Sequence, residues 1–140
     1  MDPRHRLVHR LRDITLAFDA AITEFGRTND LGPRDIRAII ALLDAERAGT
    51  VATPGWLATR LAVNSASCTA LVDRLVAAGH VARGALAGDR RKVALTVTPE
   101  ARALGERFFH PLLAPIEAAA QELSVADAML VDAFLTACTG

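Results

Sequence analysis

The sequence contains few aromatic and few sulfur-containing residues. It has no Tyr, one Trp, five Phe and two Cys among 140 residues. The core must therefore be built from Ala, Leu, Val and Ile, and because Ala and Leu favour helices, this composition favours packed helices over a β-sandwich. Cys68 and Cys138 lie far apart, with neither the spacing of a metal site nor the pattern of a disulfide framework.

Patterns typical of catalysis, cofactor binding and membrane insertion are missing as well. The sequence has no Gly-rich phosphate loop, no Ser/His/Asp or Cys/His signature and no apolar run long enough to span a membrane. Residues 1–6 are charged rather than apolar, so they do not resemble a signal peptide. We therefore expect a cytoplasmic protein that is not an enzyme, needs no cofactor or metal and does not associate with membranes.

The formal net charge is zero, but the charges are unevenly distributed. Residues 55–95 carry six cations and two acidic residues, a net charge of +4, whereas residues 96–140 carry two cations and six acidic residues, a net charge of −4. A basic segment within a neutral chain is typical of a nucleic-acid-binding surface. The cations of this segment are Arg60, Arg74, Arg83, Arg90, Arg91 and Lys92.

Apolar residues recur at three- and four-residue intervals over most of the chain, which predicts a mostly α fold of the α+β class. An alternating segment predicts a β-hairpin with strands at 81–84 and 92–97 and a tip at 85–91. Pro111 and Pro115 are expected to bend or break the helix that follows the hairpin. The predicted helices cover about 4–26, 33–48, 54–62, 65–79 and 99–122, with a last helix after Ser124.

The two short helices at 54–62 and 65–79 have the spacing of a helix-turn-helix, whose second helix enters the major groove of DNA. The outer side of that helix carries only short side chains, which permit close approach to the bases, and a helix N-terminus suits a phosphate. An ordinary helical hairpin within a core remains the alternative at this point. The candidate DNA contacts on this helix are Ser65, Ala66, Ser67, Thr69 and Ala70.

Three consecutive cations, Arg90, Arg91 and Lys92, follow Asp89 at the predicted hairpin tip. A solvated turn is the commoner location of such a run. The minor groove, however, attracts Arg through its negative potential, which predicts that Arg90 and Arg91 contact DNA there. The order of the two features, helix-turn-helix and then basic hairpin, favours DNA binding.

Four segments carry a resemblance to a known family. Together with their flanking helices they resemble the MarR family of winged helix-turn-helix transcriptional regulators, and the Asp-Arg-Arg of the hairpin is the most specific feature. The segments are Leu31-Gly32-Pro33-Arg34, Leu57-Ala58-Thr59-Arg60-Leu61, residues 71–83 (LVDRLVAAGHVAR), and Asp89-Arg90-Arg91 with residues 95–101 (LTVTPEA).

The resemblance implies a single domain over residues 1–140, with a winged-helix DNA-binding lobe at about 33–98. It implies a homodimer built from helices at about 4–26 and 99–138, and a pseudo-palindromic operator on double-stranded DNA. By the same resemblance, Asp89 orients neighbouring Arg side chains by salt bridges, and Arg74 contacts a phosphate or pairs with Asp89. Lys92 completes the predicted set of DNA contacts.

The resemblance also implies a repressor that is relieved by a small ligand, although ordinary core packing is the commoner role of the candidate ligand contacts. Family members often carry a long polar residue where this chain has Ala70, so shape readout is expected to matter more here. The alternative function is a winged-helix scaffold that acts as a dimeric protein-interaction or ligand-binding module without specific DNA readout. The candidate ligand contacts are Phe18, Ile22, Phe25, Trp56, Phe108 and Phe109.

Overall fold

The described residues form six helices and one two-stranded antiparallel sheet, which confirms the predicted mostly helical winged-helix architecture. The computed structural model describes residues 1–86 and 88–140, and the side chain of Arg90 lies outside that description. The elements are α1 (Pro3–Asn29), α2 (Pro33–Arg47), α3 (Pro54–Leu61), α4 (Ser65–Ala77), β1 (Val81–Leu86), β2 (Asp89–Val97), α5 (Pro99–Gln121) and α6 (Val125–Thr139).

Small polar residues set the starts of the helices around the helix-turn-helix. Thr53 Oγ1 accepts a hydrogen bond of 3.1 Å from the Trp56 N–H at the start of α3. Thr98 does the same for Ala101 at the start of α5, also at 3.1 Å, and it donates its hydroxyl proton to the Gly79 carbonyl at 2.7 Å. Each of these caps satisfies a backbone donor that the first helical turn leaves unpaired.

Helix α1 ends later than predicted, and one expected break, in helix α5, is absent. Helix α1 continues past Gly26 to Asn29, because Asp30 adopts the left-handed conformation that ends a helix, with φ of 54°, and its N–H bonds to the Gly26 carbonyl. Helix α5 continues through Pro111 and Pro115 without a break. Both prolines are exposed, so water can bond the two carbonyls whose helical donors are missing.

The contacts divide the chain into two compact units, residues 1–106 and 107–140. Aliphatic side chains form the core of the first unit, as the composition predicted, and Leu57 and Leu75 are almost completely buried. Helix α2 faces this core with Ala38, Ala41 and Ala45, whose short side chains allow neighbouring elements to approach closely. Burying each leucine stabilises the fold by about 2 kcal/mol.

The second unit contains the later part of α5 and all of α6, and none of its residues, which the structure describes in full, is buried. Helix α6 leaves Val125, Met129 and Leu130 at least 68% exposed. Within the described part of the chain, no helix has the length and apolar character needed to cross a membrane. An uncovered apolar surface of this extent is typical of an interaction surface.

Gly26 provides a test of the packing between α1 and the start of α2. A Cβ atom at this position would lie 2.6 Å from the Leu31 carbonyl oxygen and 2.9 Å from Ile36 Cδ1. We expect Gly26→Ala to lower the free energy of unfolding by about 2 kcal/mol, since overpacking forces the backbone to shift. Urea unfolding at fixed protein concentration measures this.

Gly105→Ala is the matched control, because Gly105 also lies within a helix and a Cβ there meets nothing within 4 Å. It should raise stability by up to about 1 kcal/mol, since alanine loses less backbone entropy on folding than glycine. A Gly26→Ala protein as stable as the wild type would contradict this account of the packing.

Candidate nucleic-acid interface

The helix-turn-helix consists of α3, a turn at residues 62–64 and α4. Ala62 takes the left-handed conformation, with φ of 54°, and ends α3, so the chain turns within three residues. Asn64 Oδ1 then accepts a hydrogen bond of 2.8 Å from the Ser67 N–H and begins α4. The short turn and the N-cap at Asn64 therefore fix where the second helix starts.

Helix α4 separates a buried face from an exposed one, as predicted. Cys68, Leu71, Val72 and Leu75 are each less than 5% exposed and form the inner face. From Ser65 to Ala70 the outer face bears only short side chains, so this part of the helix can approach a base-pair edge closely. The five predicted contacts, Ser65, Ala66, Ser67, Thr69 and Ala70, all lie at exposed positions on this helix.

The β-hairpin contains a bulge at its three cations. The two strands pair regularly from Val81 opposite Val97 to Ala85 opposite Val93, and the next pair joins Leu86 to Asp89. Residues 90–92 of β2 thus have no counterpart on β1. Asp89 Oδ1 accepts a hydrogen bond of 3.0 Å from the Arg91 N–H and stabilises the backbone at this irregularity. A bulge of this kind redirects the side chains that it carries.

The predicted tip at 85–91 was too long. The first strand, β1, continues to Leu86, and the second strand, β2, already begins at Asp89. The cations consequently lie in the bulge of β2 and not in the turn itself. Arg91 and Lys92 are exposed there. The side chain of Arg90, which the sequence placed in the minor groove, lies outside the described residues.

The inner end of the hairpin joins the core of the helix-turn-helix. The Leu95 N–H donates to the Ala52 carbonyl at 2.7 Å, and the Thr98 N–H donates to the His80 carbonyl at 3.0 Å. Leu95 and Val97 are buried. The base of the hairpin is therefore fixed by backbone hydrogen bonds and apolar packing, whereas Arg91 and Lys92 further along β2 are exposed.

Two ion pairs hold α4 to its neighbours, and the sequence did not indicate either of them. Arg74 Nη2 lies 2.8 Å from Asp35 Oδ1 at the start of α2, and Asp73 pairs with Arg83 of β1. The expected pairing of Arg74 with Asp89 is therefore replaced by one with Asp35. Among the described side chains no ion pair includes Asp89, whose carboxylate bonds the backbone of Arg91 instead.

The predicted ligand contacts are distributed over both units. Phe18, Ile22 and Trp56 are half-buried in the first unit, where Phe25 is buried. Phe108 and Phe109, in the second unit, are half-buried and meet edge to face with ring centroids 5.2 Å apart.

Among the described residues of the first unit, open grooves of about 440 and 310 Å³ are present, and none of the six candidate ligand contacts lines either of these. The larger is lined by residues of α2 with Arg102, and the smaller by residues of α2, the 50–52 segment and the hairpin.

Cys68 lies within α4 but is 1% exposed. Its Sγ contacts the Pro54 carbonyl oxygen at 3.4 Å, within hydrogen-bonding distance for a thiol donor. Burial raises the pKa of the Cys68 thiol above its ordinary value. The thiolate is the reactive form of cysteine, so these surroundings make Cys68 a packing residue.

Thiol labelling checks this assignment. In a Cys138→Ser variant, Ellman's reagent at about pH 8 should label Cys68 far more slowly in the folded protein than in urea, because burial excludes the reagent and the raised pKa keeps the thiol protonated. Equal labelling rates before and after unfolding would contradict a buried, unreactive Cys68.

Comparisons with known proteins agree with this geometry. The model of the MarR family matches residues 29–92, which include α2, the helix-turn-helix and most of the hairpin. No curated protein matches the sequence significantly.

Solved structures of similar fold include a MepR variant from a multidrug-resistant S. aureus clinical isolate, which is 16% identical with a TM-score of 0.72 over 95% of this chain and 94% of that one. A transcriptional regulator of Thermotoga maritima is 23% identical with a TM-score of 0.64 over 97% and 93%. The MepR–DNA complex of S. aureus is 17% identical with a TM-score of 0.62 over 94% and 96%. The chain is thus similar to the MarR family over its winged helix-turn-helix lobe, and it shares the fold of these solved structures.

Proposed function

We propose that this protein is a transcriptional regulator that binds a specific site on double-stranded DNA. The observation that carries the proposal is the arrangement of two exposed features on one lobe: the shallow outer face of α4 and the cationic bulge of the hairpin. A helix with short side chains fits the major groove, and a β-hairpin that carries Arg suits the adjacent minor groove. The same fold occurs bound to DNA in the S. aureus MepR complex, which supports this function.

The proposed contacts divide into two kinds. On α4, Thr69 donates its hydroxyl proton to the Ser65 carbonyl at 2.8 Å, which leaves its methyl group for apolar contact with a thymine methyl. With Ala66 and Ala70 beside it, this face offers few hydrogen bonds to bases. Arg90, Arg91 and Lys92 supply the charge, so DNA shape and phosphate attraction carry much of the affinity.

We further propose that the active form is a homodimer. Helix α1 exposes Leu7, Val8 and Leu16 by 51% or more, and no residue of the 107–140 unit is buried. Two helical regions that leave this much apolar surface uncovered in the single chain need a partner to cover it. A second copy of the chain provides apolar surface to cover each of these regions. The two-fold symmetry of such a dimer matches a pseudo-palindromic operator.

The proposed regulation is repression that a small ligand relieves. Five of the candidate contacts are half-buried and so keep apolar surface available, namely Phe18, Ile22, Trp56, Phe108 and Phe109, and Phe25 is buried. The competing function is a dimeric scaffold for a protein or ligand, and the absence of a long polar side chain from Ser65 to Ala70 favours it. DNA affinity that does not fall with rising salt would support this competing function.

The wing is tested by Arg90→Ala combined with Arg91→Ala. If two phosphate or minor-groove contacts are lost, the slope of log affinity against log salt should fall by about 1.8 in magnitude, with weaker binding throughout. Fluorescence anisotropy, with a duplex that the protein selects from a random-sequence pool, measures both quantities. The variant should remain folded and dimeric.

The matched control is Arg27→Ala with Arg47→Ala, which removes the same charge from two exposed positions in α1 and α2. We expect this pair to leave the salt slope unchanged. Equal affinity of the wing variant and the wild type would refute the role of the wing.

The dimer is tested by sedimentation. At micromolar concentration only the dimer is expected, because the exposed apolar helices favour association. Met129→Glu with Leu130→Glu, at two positions of α6 that are 68% and 71% exposed, should shift the population to monomer by placing charges in the interface. A wild-type chain that sediments as a monomer would defeat this part of the proposal.

A further inference from the structure

Consecutive residues of opposite charge, Asp73 and Arg74, bind α4 to two different elements. Arg74 Nη2 lies 2.8 Å from Asp35 Oδ1 of α2, across 39 positions of sequence. Asp73 accepts a hydrogen bond from Arg83 of β1. The helix that faces DNA in the proposed function is therefore held by one ion pair toward α2 and by another toward the hairpin.

Asp35 is a fixed partner for Arg74. Its Oδ2 accepts a hydrogen bond of 2.9 Å from the Gly32 N–H at the start of α2, while its Oδ1 receives Arg74. The Asp35 side chain is only 13% exposed, whereas that of Arg74 is 60% exposed. Since both carboxylate oxygens are engaged and the group is mostly shielded from water, its position and charge direct the guanidinium of Arg74.

Arg83 provides the second connection from the base of the hairpin. It lies opposite Leu95 in the strand register, and Leu95 is buried and bonded to the Ala52 carbonyl. Arg83 therefore projects from the part of the hairpin that is fixed to the core. Its pair with Asp73 links the orientation of α4 to that of the hairpin.

We propose that Arg74 and Arg83 are positioning residues, which orient α4 between α2 and the hairpin and do not contact DNA phosphates. This inference rests on the proposed function. Each guanidinium is already neutralised by a carboxylate, and a phosphate would have to displace that partner. Arg91 and Lys92, by contrast, form no ion pair with any carboxylate that the structure describes. Charge attraction to DNA thus comes from the bulge, and the two pairs set the geometry for specific recognition.

The test compares Arg74→Gln and Arg83→Gln with Arg91→Gln, a control that also removes one charge. Each protein is titrated, over a range of salt concentrations, with two duplexes: one that the wild type selects from a random-sequence pool, and one of random sequence. Arg91→Gln should weaken binding to both duplexes and reduce the salt slope by about 0.9. Arg74→Gln and Arg83→Gln should weaken only the selected duplex, by up to about fivefold, with the slope unchanged.

A double-mutant cycle shows whether each arginine acts through its carboxylate. In an Asp73→Asn background, Arg83→Gln should cause no further loss of affinity for the selected duplex, and the same is expected for Arg74→Gln in an Asp35→Asn background. Additive losses would overturn the inference. So would a slope that falls by about 0.9 in either single arginine variant, because that arginine would then be a phosphate contact.

Hydrogen exchange of the DNA-free protein tests the same inference independently. Arg74→Gln and Arg83→Gln should each speed amide exchange in residues 65–78, whereas Arg91→Gln should not. Unchanged exchange in both arginine variants would overturn the positioning role. A wild-type protein that binds neither duplex would refute the proposed function, and the exchange result would still decide whether the two pairs hold α4.

Discussion

The inner face of α4 is the part of the chain on which the rest of the winged-helix lobe depends. Cys68, Leu71, Val72 and Leu75 are buried together with Leu57 of α3. Because these side chains must leave water, the opposite face of α4 must point to solvent, and the turn before it must place the helix across α3. The exposed outer face of α4 is thus a consequence of apolar burial, and its chemistry can vary without loss of the fold.

Electrostatics adds a second level of organisation to this lobe. Of the cations in residues 55–95, Arg74 and Arg83 are paired with carboxylates, and Arg91 and Lys92 extend from the hairpin bulge without a described partner. Exposed ion pairs contribute little to stability. Their role here is to orient α4, since they connect two neighbouring residues of this helix to α2 and to the hairpin. A basic segment of net charge +4 therefore contains two kinds of cation, which its composition does not distinguish.

Much of the local structure could be predicted from the sequence because its causes are local. Thr53, Asn64 and Thr98 each cap a helix through contacts within three residues, and the apolar spacing in α4 fixes which face is buried. The boundaries of α1 and of the hairpin were less predictable. They depend on the left-handed conformation of Asp30 and on a strand register that shifts beyond Ala85, and neither leaves a clear pattern in the residues.

The sequence by itself determined the order of the elements, the aliphatic core, the short outer face of α4 and the concentration of cations before residue 96. Each of these follows from side-chain chemistry or from spacing along one helix or strand. Only the tertiary structure decided that Asp35 receives Arg74 across 39 positions, that Asp73 receives Arg83, and that the three cations lie in a bulge of β2. Ion pairs between distant residues depend on how separate elements pack. The sequence contains several carboxylates that could pair with each arginine, and packing determines which of them lies close enough.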